Sequence, residues 1–362
     1  YGIMIYQEDV IKVANVIAGM NLGEAEGLRK CMSKKRDWEK IENYKNRFIS
    51  GARKNGVTKT IAEKIWRQIE SFAGYAFCKA HSASFAMVSY RAAYLKARFP
   101  AEFMAAVLSN QGGFYGTDEY IEEARRMGLK VLLPHINYSH HKFSVEYTRK
   151  KMGKPGAVRV GLQQIKNLSA SSINSILAEK TRKPFASLCD FLSRVNTDEQ
   201  EVDKLIRCGA FDGLGETRPE MLWKHELFRR KKQTHIRNQN GQVALFDITD
   251  SLNLAPRLPE YGSKEKIFQE LECLGVAVSH HPLALYGIRY EDPSSGISLA
   301  ENIPEYSGKL ATLAGWLVTY KRTRTSNGDL MKFLTLEDPT GLFEVTLFPK
   351  VYCRFGHLLH DH

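Results

Sequence analysis

Apolar positions recur at helical spacing through residues 1–135. Tyr6, Val10, Val13, Ala14 and Ile17 share one helical face, Ile61, Ile65, Ile69 and Phe72 a second, and Phe85, Val88, Ala92 and Leu95 a third. Asn21 followed by Glu24, and Thr60 followed by Glu63, have capping-box spacing, while Pro100 ends the stripe that begins near Ser82. From Pro134 to Thr148 the periodicity gives way to Asn, His and Ser, which marks a domain edge. A short strand at Val158–Leu162 then precedes a helical stretch over 163–178. Short helices over 185–195 and 202–208, each bounded by turn residues, predict a small helical module. Residues 224–240 turn polar and basic, with Arg229, Arg230, Lys231, Lys232 and Arg237, and read as a linker or a solvated helix end. Another short helix, carrying Ile267, Leu271 and Leu274, leads to His280 and His281.

Over the final stretch the period changes to two. Phe333, Thr335 and Glu337 alternate with Lys332, Leu334 and Leu336, and Phe343, Val345 and Leu347 alternate with Glu344 and Thr346. Asn327-Gly328 and Pro339-Thr340-Gly341 supply turns, and a strand over 310–320 completes three antiparallel strands. A five-stranded OB-type barrel needs two more, so the pattern predicts a partial barrel. The expected architecture is multidomain and mainly α, followed by a partial antiparallel β OB-type barrel. Its expected parts are a helical region over 1–135, a second helical region over 136–235, a connecting tract over 236–304 and the partial barrel over 305–362.

The chain has 362 residues, 43% of them hydrophobic, which excludes wholesale disorder. No run approaches the ~20 apolar residues that span a bilayer, so no membrane role is expected. The six cysteines (Cys31, Cys78, Cys189, Cys208, Cys273 and Cys353) form no Cys-x-x-Cys pair; they read as small core residues of a cytoplasmic protein. Tyr1 opens the chain inside an apolar segment and His362 follows an unfinished β pattern, so the sequence reads as a fragment of something longer.

Lys and Arg number 52 against 40 Asp and Glu, a net charge of +12. The excess concentrates over 28–54, in Arg29, Lys30, Lys34, Lys35, Arg36, Lys40, Lys45, Arg47, Arg53 and Lys54, a stripe suited to a polyanion or, more blandly, a solvated helix face. The loop Gly74-Tyr-Ala-Phe-Cys-Lys-Ala-His-Ser82 runs into a helix beginning near Ser82. Lys79 and His81 sit within one turn of that N-terminus, where free N–H groups and the helix dipole favour phosphate. Gln242-Val-Ala-Leu-Phe246 places an apolar pair in a polar tract, as in a docking peptide. No Cys or carboxylate cluster accompanies His357, His360 and His362, which read as a terminus rather than a metal site. No Walker loop, nucleophile elbow or Asp-x-Asp pair is present, so no catalytic residue is expected in this segment.

Four ordered segments resemble the bacterial DNA polymerase III alpha subunits, the C-family of DNA polymerases. They are Tyr1-Gly-Ile-Met-Ile-Tyr-Gln-Glu8, Gly23-Glu-Ala-Glu-Gly-Leu-Arg-Lys30, Phe72-Ala-Gly-Tyr-Ala-Phe-Cys-Lys-Ala-His-Ser-Ala-Ser-Phe-Ala86 and Pro100-Ala-Glu-Phe-Met-Ala-Ala106. The resemblance implies that residues 1–135 are fingers, that 136–235 carry a helix-hairpin-helix, and that the last strands belong to an OB domain. It implies that Arg29, Lys30, Lys79 and His81 face the incoming nucleotide's phosphates. Lys34, Lys35, Lys166, Asn167 and Ser169 would face DNA, and Gln242, Leu245 and Phe246 a sliding clamp. The catalytic aspartates and the Mg²⁺ ions would lie in a palm upstream, leaving this segment without a metal and inactive alone.

The segment departs from the family pattern at two places. Cys78 and Ala80 replace Asn and Ser in the loop, and Ile165-Lys-Asn-Leu-Ser169 replaces Ile-Lys-Gly-Val-Gly, removing glycines that let a backbone approach a phosphate. Leu108-Ser-Asn-Gln-Gly-Gly-Phe-Tyr115 is reminiscent of the compact error-prone branch. The function implied is primer extension with dNTPs in DNA replication, with primer-template and single-stranded DNA, dNTP, sliding clamp and other polymerase III holoenzyme subunits as partners. The alternatives are an error-prone repair polymerase of the same family and a non-catalytic, clamp-tethered DNA-binding adaptor.

Overall fold

The computed structural model describes residues 3–34, 38–72, 77–147, 156–237, 256–288 and 295–359. The fold is mainly helical, and it divides after Leu95 into two compact units.

The first unit is built from α1 (Gln7–Ala18), α2 (Leu22–Lys34), α3 (Trp38–Lys54) and α4 (Lys59–Phe72), followed by the start of α5 (Lys79–Arg98). Asp9 accepts the N–H groups of Ile5 and Tyr6 and so caps α1, which ends at Gly19 in the left-handed conformation. Asn21 and Glu24 exchange both capping-box hydrogen bonds at 2.9 and 3.1 Å, as their spacing predicts. Thr60 does not cap α4, because that helix already begins at Lys59. Val10, Ala14, Leu28, Phe48, Trp66 and Ile69 form the core, so the first two apolar faces point inward, except at Ile61, which is 51% exposed. Helix α1 lies directly against α3: a Cβ on Gly51 would sit 2.0 Å from the Ala18 carbonyl oxygen. The third stripe behaves differently. No residue of α5 is buried, and Phe85 and Val88 are each 61% exposed. Met87, Tyr90 and Tyr94 are exposed as well, so the helix is apolar around much of its circumference. Spacing identified the helix but not what covers it.

In the second unit, α6 (Pro100–Asn110) and α7 (Thr117–Arg126) pack on a small sheet of order β1–β3–β2. Its strands are β1 (Lys130–Leu132), β2 (Ser144–Glu146) and β3 (Ala157–Arg159), with β1 parallel and β2 antiparallel to β3. Among the described residues five further helices follow: α8 (Ala170–Arg182), α9 (Leu188–Arg194), α10 (Glu199–Arg207), α11 (Arg218–Arg237) and α12 (Ser263–Leu274). Leu108, Ile121, Val158, Ile176 and Phe211 lie in one core, and the Phe191 ring meets Phe185 and Phe211 edge-on at 5.2 and 5.0 Å. The stretch read as a domain edge contributes Ile136 and Phe143 to this core. The helix expected from residue 163 starts only at Ala170, after a short 3-10 turn and a hairpin. The basic tract is helical as far as Arg237, the end of α11.

The last strands are β4 (Ile297–Ser298), paired in parallel with β5 (Thr312–Leu313), and an antiparallel set of β6 (Trp316–Arg324), β7 (Leu330–Asp338) and β8 (Gly341–Leu347). The single strand expected over 310–320 is split between β5 and β6. Gly315 lies at the break, where a Cβ would meet Phe343 at 2.6 Å. Among the described residues the sheets do not close into a barrel; what stands is a small antiparallel sheet covered by α13 (Pro349–Phe355). None of the cysteines is in a disulfide; Cys208 and Cys273 are buried, whereas Cys353 is exposed and so is not a core residue. No described helix is long and apolar enough to cross a membrane.

The sheet meets α7 through Glu337 of β7, a buried carboxylate 3.5 Å from Arg126. Burial, and then the nearby Glu122, push its carboxyl up to about 7, against an ordinary 4.5. Burial and a hydrogen bond with Asp118 do the same to Glu119. Arg125, on the same helix, is engaged by Glu122 and by the carbonyls of Ala277 and Val278. A carboxyl whose folded pKa is raised adds stability below its unfolded pKa and loses it as pH climbs through the folded value. His281, held near 4 first by burial and then by Arg125, titrates with the opposite sign. The comparison that isolates Glu337 is therefore with Glu337→Gln. The neutral variant should gain Tm relative to the parent chain between pH 5 and pH 8, and a gap of equal size at both ends would contradict the assignment.

Candidate nucleotide and nucleic-acid interface

Burial of Ala25, Leu28 and Met32 fixes which side of α2 faces the core and leaves Glu26, Arg29 and Lys30 outside it. Arg29 grips Glu26 with two hydrogen bonds, Nε at 2.8 Å and Nη2 at 2.7 Å, and donates from Nη1 to Oε1 of Gln7 at 2.6 Å. The guanidinium thus has a fixed plane. The Arg29 hydrogen bond holds the Glu26 carboxyl at about 2, and Arg29 is itself raised, so both stay charged. Lys30 reaches the same carboxylate only at 3.6 Å and its side chain is 66% exposed, so it can swing toward a ligand.

The start of α5 is held by the first turn of α1. Gln7 donates its N–H to the Phe77 carbonyl at 2.8 Å, and Tyr6 and Phe77 form an isolated parallel bridge. The Glu8 carboxylate accepts the Lys79 N–H at 3.0 Å and the Cys78 thiol at 3.5 Å. The Lys79 hydrogen bond holds the Glu8 carboxyl below the usual carboxylate range. The Lys79 amine lies 5.8 Å from the Tyr6 ring centroid, and the His81 ring 4.4 Å from that of Phe85. The helix start expected near Ser82 lies at Lys79, and the first N–H of α5 is engaged by an internal carboxylate rather than open to phosphate. The Lys79 and His81 side chains are exposed.

Gln7 and Glu8 were not singled out in the sequence, although they contact Arg29 on one side and Lys79 on the other. Acidic residues in a first helical turn are ordinary partners of the helix dipole, so nothing local distinguished Glu8. Its partner is 71 positions away.

In the hairpin, Asn167 takes a positive φ of 61°, as an Asn in a glycine position can. Ser169 needs no such conformation. Its φ is −69°, and its hydroxyl caps α8 by accepting the Ser172 N–H. The Ser169 N–H donates to Glu201 at 2.7 Å, so this group is also held by an internal carboxylate. Lys166 donates its N–H to the Cys273 carbonyl and its amine to the Leu271 carbonyl at 3.2 Å, tying the hairpin to the end of α12. Lys34 closes α2. Lys35, Gln242, Leu245, Phe246, His360 and His362 lie outside the described residues.

Among the described residues no group of three His, Cys, Asp or Glu side chains could hold a metal ion. Glu8 and Glu26, the carboxylates at this site, are engaged with N–H donors and do not fit a Mg²⁺ site. What the arrangement offers is cation and hydrogen-bond donor chemistry toward an anion.

Residues 1–56 match the family model described as the bacterial DNA polymerase III alpha subunit finger domain, and residues 128–221 match a helix-hairpin-helix motif. The chain is 35% identical, over 97% of its length, to the DNA polymerase III subunit alpha of Thermus aquaticus. It is 34% identical over 99% of its length to the DNA polymerase III subunit alpha of Haemophilus influenzae, and 32% over 99% to the error-prone DNA polymerase of Symbiobacterium thermophilum. It spans 29%, 31% and 36% of the lengths of these three relatives.

Proposed function

We propose, on the premise that this chain belongs with the bacterial DNA polymerase III alpha subunits, that it supplies fingers and DNA-binding elements to a DNA-directed DNA polymerase extending primers with dNTPs. The observation that carries the reading is that Arg29 and Lys30 fall inside the finger-domain match and that α1 links Arg29 to Lys79. A pre-oriented guanidinium suits the paired oxygens of a triphosphate, while the more mobile Lys30 and Lys79 amines contribute charge. In this reading the segment binds and orients the nucleotide. The metal-assisted displacement belongs to carboxylates elsewhere in the full-length subunit.

The helix-hairpin-helix match over 128–221 supports DNA contact by the second unit. Since the Ser169 N–H is engaged by Glu201, that contact would rest on the exposed Lys166 and Asn167 region rather than on a phosphate gripped by Ser169. We assign residues 1–135 to fingers, 136–235 to the helix-hairpin-helix region, 236–304 to a clamp-binding tract and 305–362 to part of an OB domain. Gln242, Leu245 and Phe246 would dock on the sliding clamp, the apolar pair filling a pocket of the partner.

One experiment tests both sites: primer extension by the full-length subunit with and without clamp. Arg29→Ala with Lys30→Ala should raise the dNTP KM or lower kcat by roughly tenfold or more, equivalent to about 1.4 kcal/mol. Unchanged kinetics would remove the pair from the nucleotide site. Leu245→Ala with Phe246→Ala should weaken clamp binding by about 2 kcal/mol and leave the dNTP KM alone; retention of clamp-dependent stimulation would dispose of the docking assignment.

A further inference from the structure

We infer that Gln7 and Glu8 are positioning residues, which hold the start of α5 and the Arg29 guanidinium in register for the phosphates of a nucleotide. This deepens the fingers reading and rests on it. Consecutive residues in one helical turn engage both cationic elements of the proposed site. Gln7 accepts from Arg29 at 2.6 Å and donates its backbone N–H to Phe77, and Glu8 accepts from Lys79 and Cys78. Their helix is in turn fixed by the core through Val10 and Ala14 and by the close contact of Gly51 with Ala18. The site's geometry is thereby referred to the core of the first unit.

The dependence is strongest for α5. None of its residues is buried, so burial of its own side chains does not set where its first turn points. The hydrogen bonds from the Lys79 N–H and the Cys78 thiol to Glu8, with the Gln7 to Phe77 bond and the Tyr6 bridge, set it instead. A charge-assisted hydrogen bond to a carboxylate kept ionised by that same N–H is a strong choice for this anchor. Glu8 has a second consequence. A fixed negative charge at the positive end of α5 opposes a phosphate on the helix backbone. The phosphate is directed instead to the side chains of Lys79, His81 and Arg29, which extend away from the backbone.

The test is steady-state kinetics of the full-length subunit on primed DNA, comparing the parent with Arg29→Ala, Glu8→Ala, Glu8→Gln and the double variant Glu8→Ala with Arg29→Ala. Thermal melts and active-site titration accompany each protein. Glu8→Ala should raise the dNTP KM roughly tenfold, the loss expected of one charge-assisted hydrogen bond, with kcat changed less. The double variant should be less impaired than the product of the single effects, because both act on one phosphate-binding arrangement. Glu8→Gln keeps an acceptor for the Lys79 N–H and should recover most of the loss. If Arg29→Ala raises the KM while Glu8→Ala does not, the positioning role fails and the fingers reading stands. If neither variant changes the KM, the fingers reading fails with it. A Glu8→Ala protein whose only defect is fewer active sites, or a Glu8→Gln variant as impaired as Glu8→Ala, also overturns the inference. So does a Glu8→Ala protein with a lower dNTP KM, since Glu8 would then be only a competing anion.

Discussion

Asp212→Ala should destabilise the second unit by about 3 kcal/mol, the low end of the range for stranding one partner of a buried ion pair. Arg218 is fully buried, and its guanidinium donates to both Asp212 oxygens at 2.9 and 2.7 Å and to the Arg207 carbonyl at 2.8 Å. Without the carboxylate, the buried cation keeps one side-chain hydrogen bond, to the Arg207 carbonyl, and the charge of the nearby Glu270. The expected loss is at the low end because the Asp212 side chain is 35% exposed, so water can enter the vacated space. Asp212→Asn should cost less, keeping one acceptor. The double variant Asp212→Ala with Arg218→Met should also be more stable than Asp212→Ala alone, since it removes the stranded charge. Urea denaturation with the slope held constant measures all three. A double variant no better than Asp212→Ala would show that lost packing, not stranded charge, is what matters. The pair also explains Gly209, whose φ is +81° and where a Cβ would lie 2.2 Å from the Arg218 guanidinium.

This ion pair illustrates what the sequence could and could not convey. The helix before it follows from periodicity, whereas α11, after it, reads only as a linker or a solvated helix end. Core positions such as Val10 with Ala14, and Val202 with Leu205 and Ile206, fall at the expected spacings and are buried. Asp212 and Arg218, by contrast, read as two charged residues near a Gly-rich turn, and only the fold shows that one is sealed inside. The candidate site divides in the same way. Arg29, Lys30, Lys79 and His81 could be named from a basic stripe, a helix start and a family resemblance. The residues joining them could not, because Gln7 and Glu8 act across 22 and 71 positions.

Where the sequence misled, the cause was a local pattern without its surroundings. A helix N-terminus attracts anions in general, but here the first N–H group of α5 is engaged by Glu8, and the Ser169 N–H at the start of α8 is engaged by Glu201. Both are internal carboxylates on other helices, and both fulfil a need that sequence reasoning assigned to phosphate. Period-two alternation found β7 and β8 but carries no information about closure, which depends on pairings among distant strands. The apolar stripe of α5 identified a helix, yet an apolar face specifies burial only when something lies opposite it.

Trp66→Ala should cost the first unit about 3–5 kcal/mol, as for other fully buried large aromatic residues. Trp66 is 1% exposed, its ring lies 5.7 Å from that of Phe48, and it fills the space between α3 and α4 beneath α1. Removing it leaves a cavity that helices already in backbone contact at Gly51 and Ala18 cannot readily close. One detail separates volume from polarity: the indole N–H of Trp66 is buried and has no hydrogen-bond acceptor. An unsatisfied buried donor costs about 1–3 kcal/mol, which Trp66→Phe recovers while sacrificing part of the ring volume. Trp66→Phe should therefore lose no more than about 1 kcal/mol by chemical denaturation. If Phe proved as damaging as Ala, the indole would be making a polar contact that this packing does not contain. Because the same core carries α1, and through it Gln7 and Glu8, Trp66→Ala in the full-length subunit should also raise the dNTP KM, whereas Trp66→Phe should not.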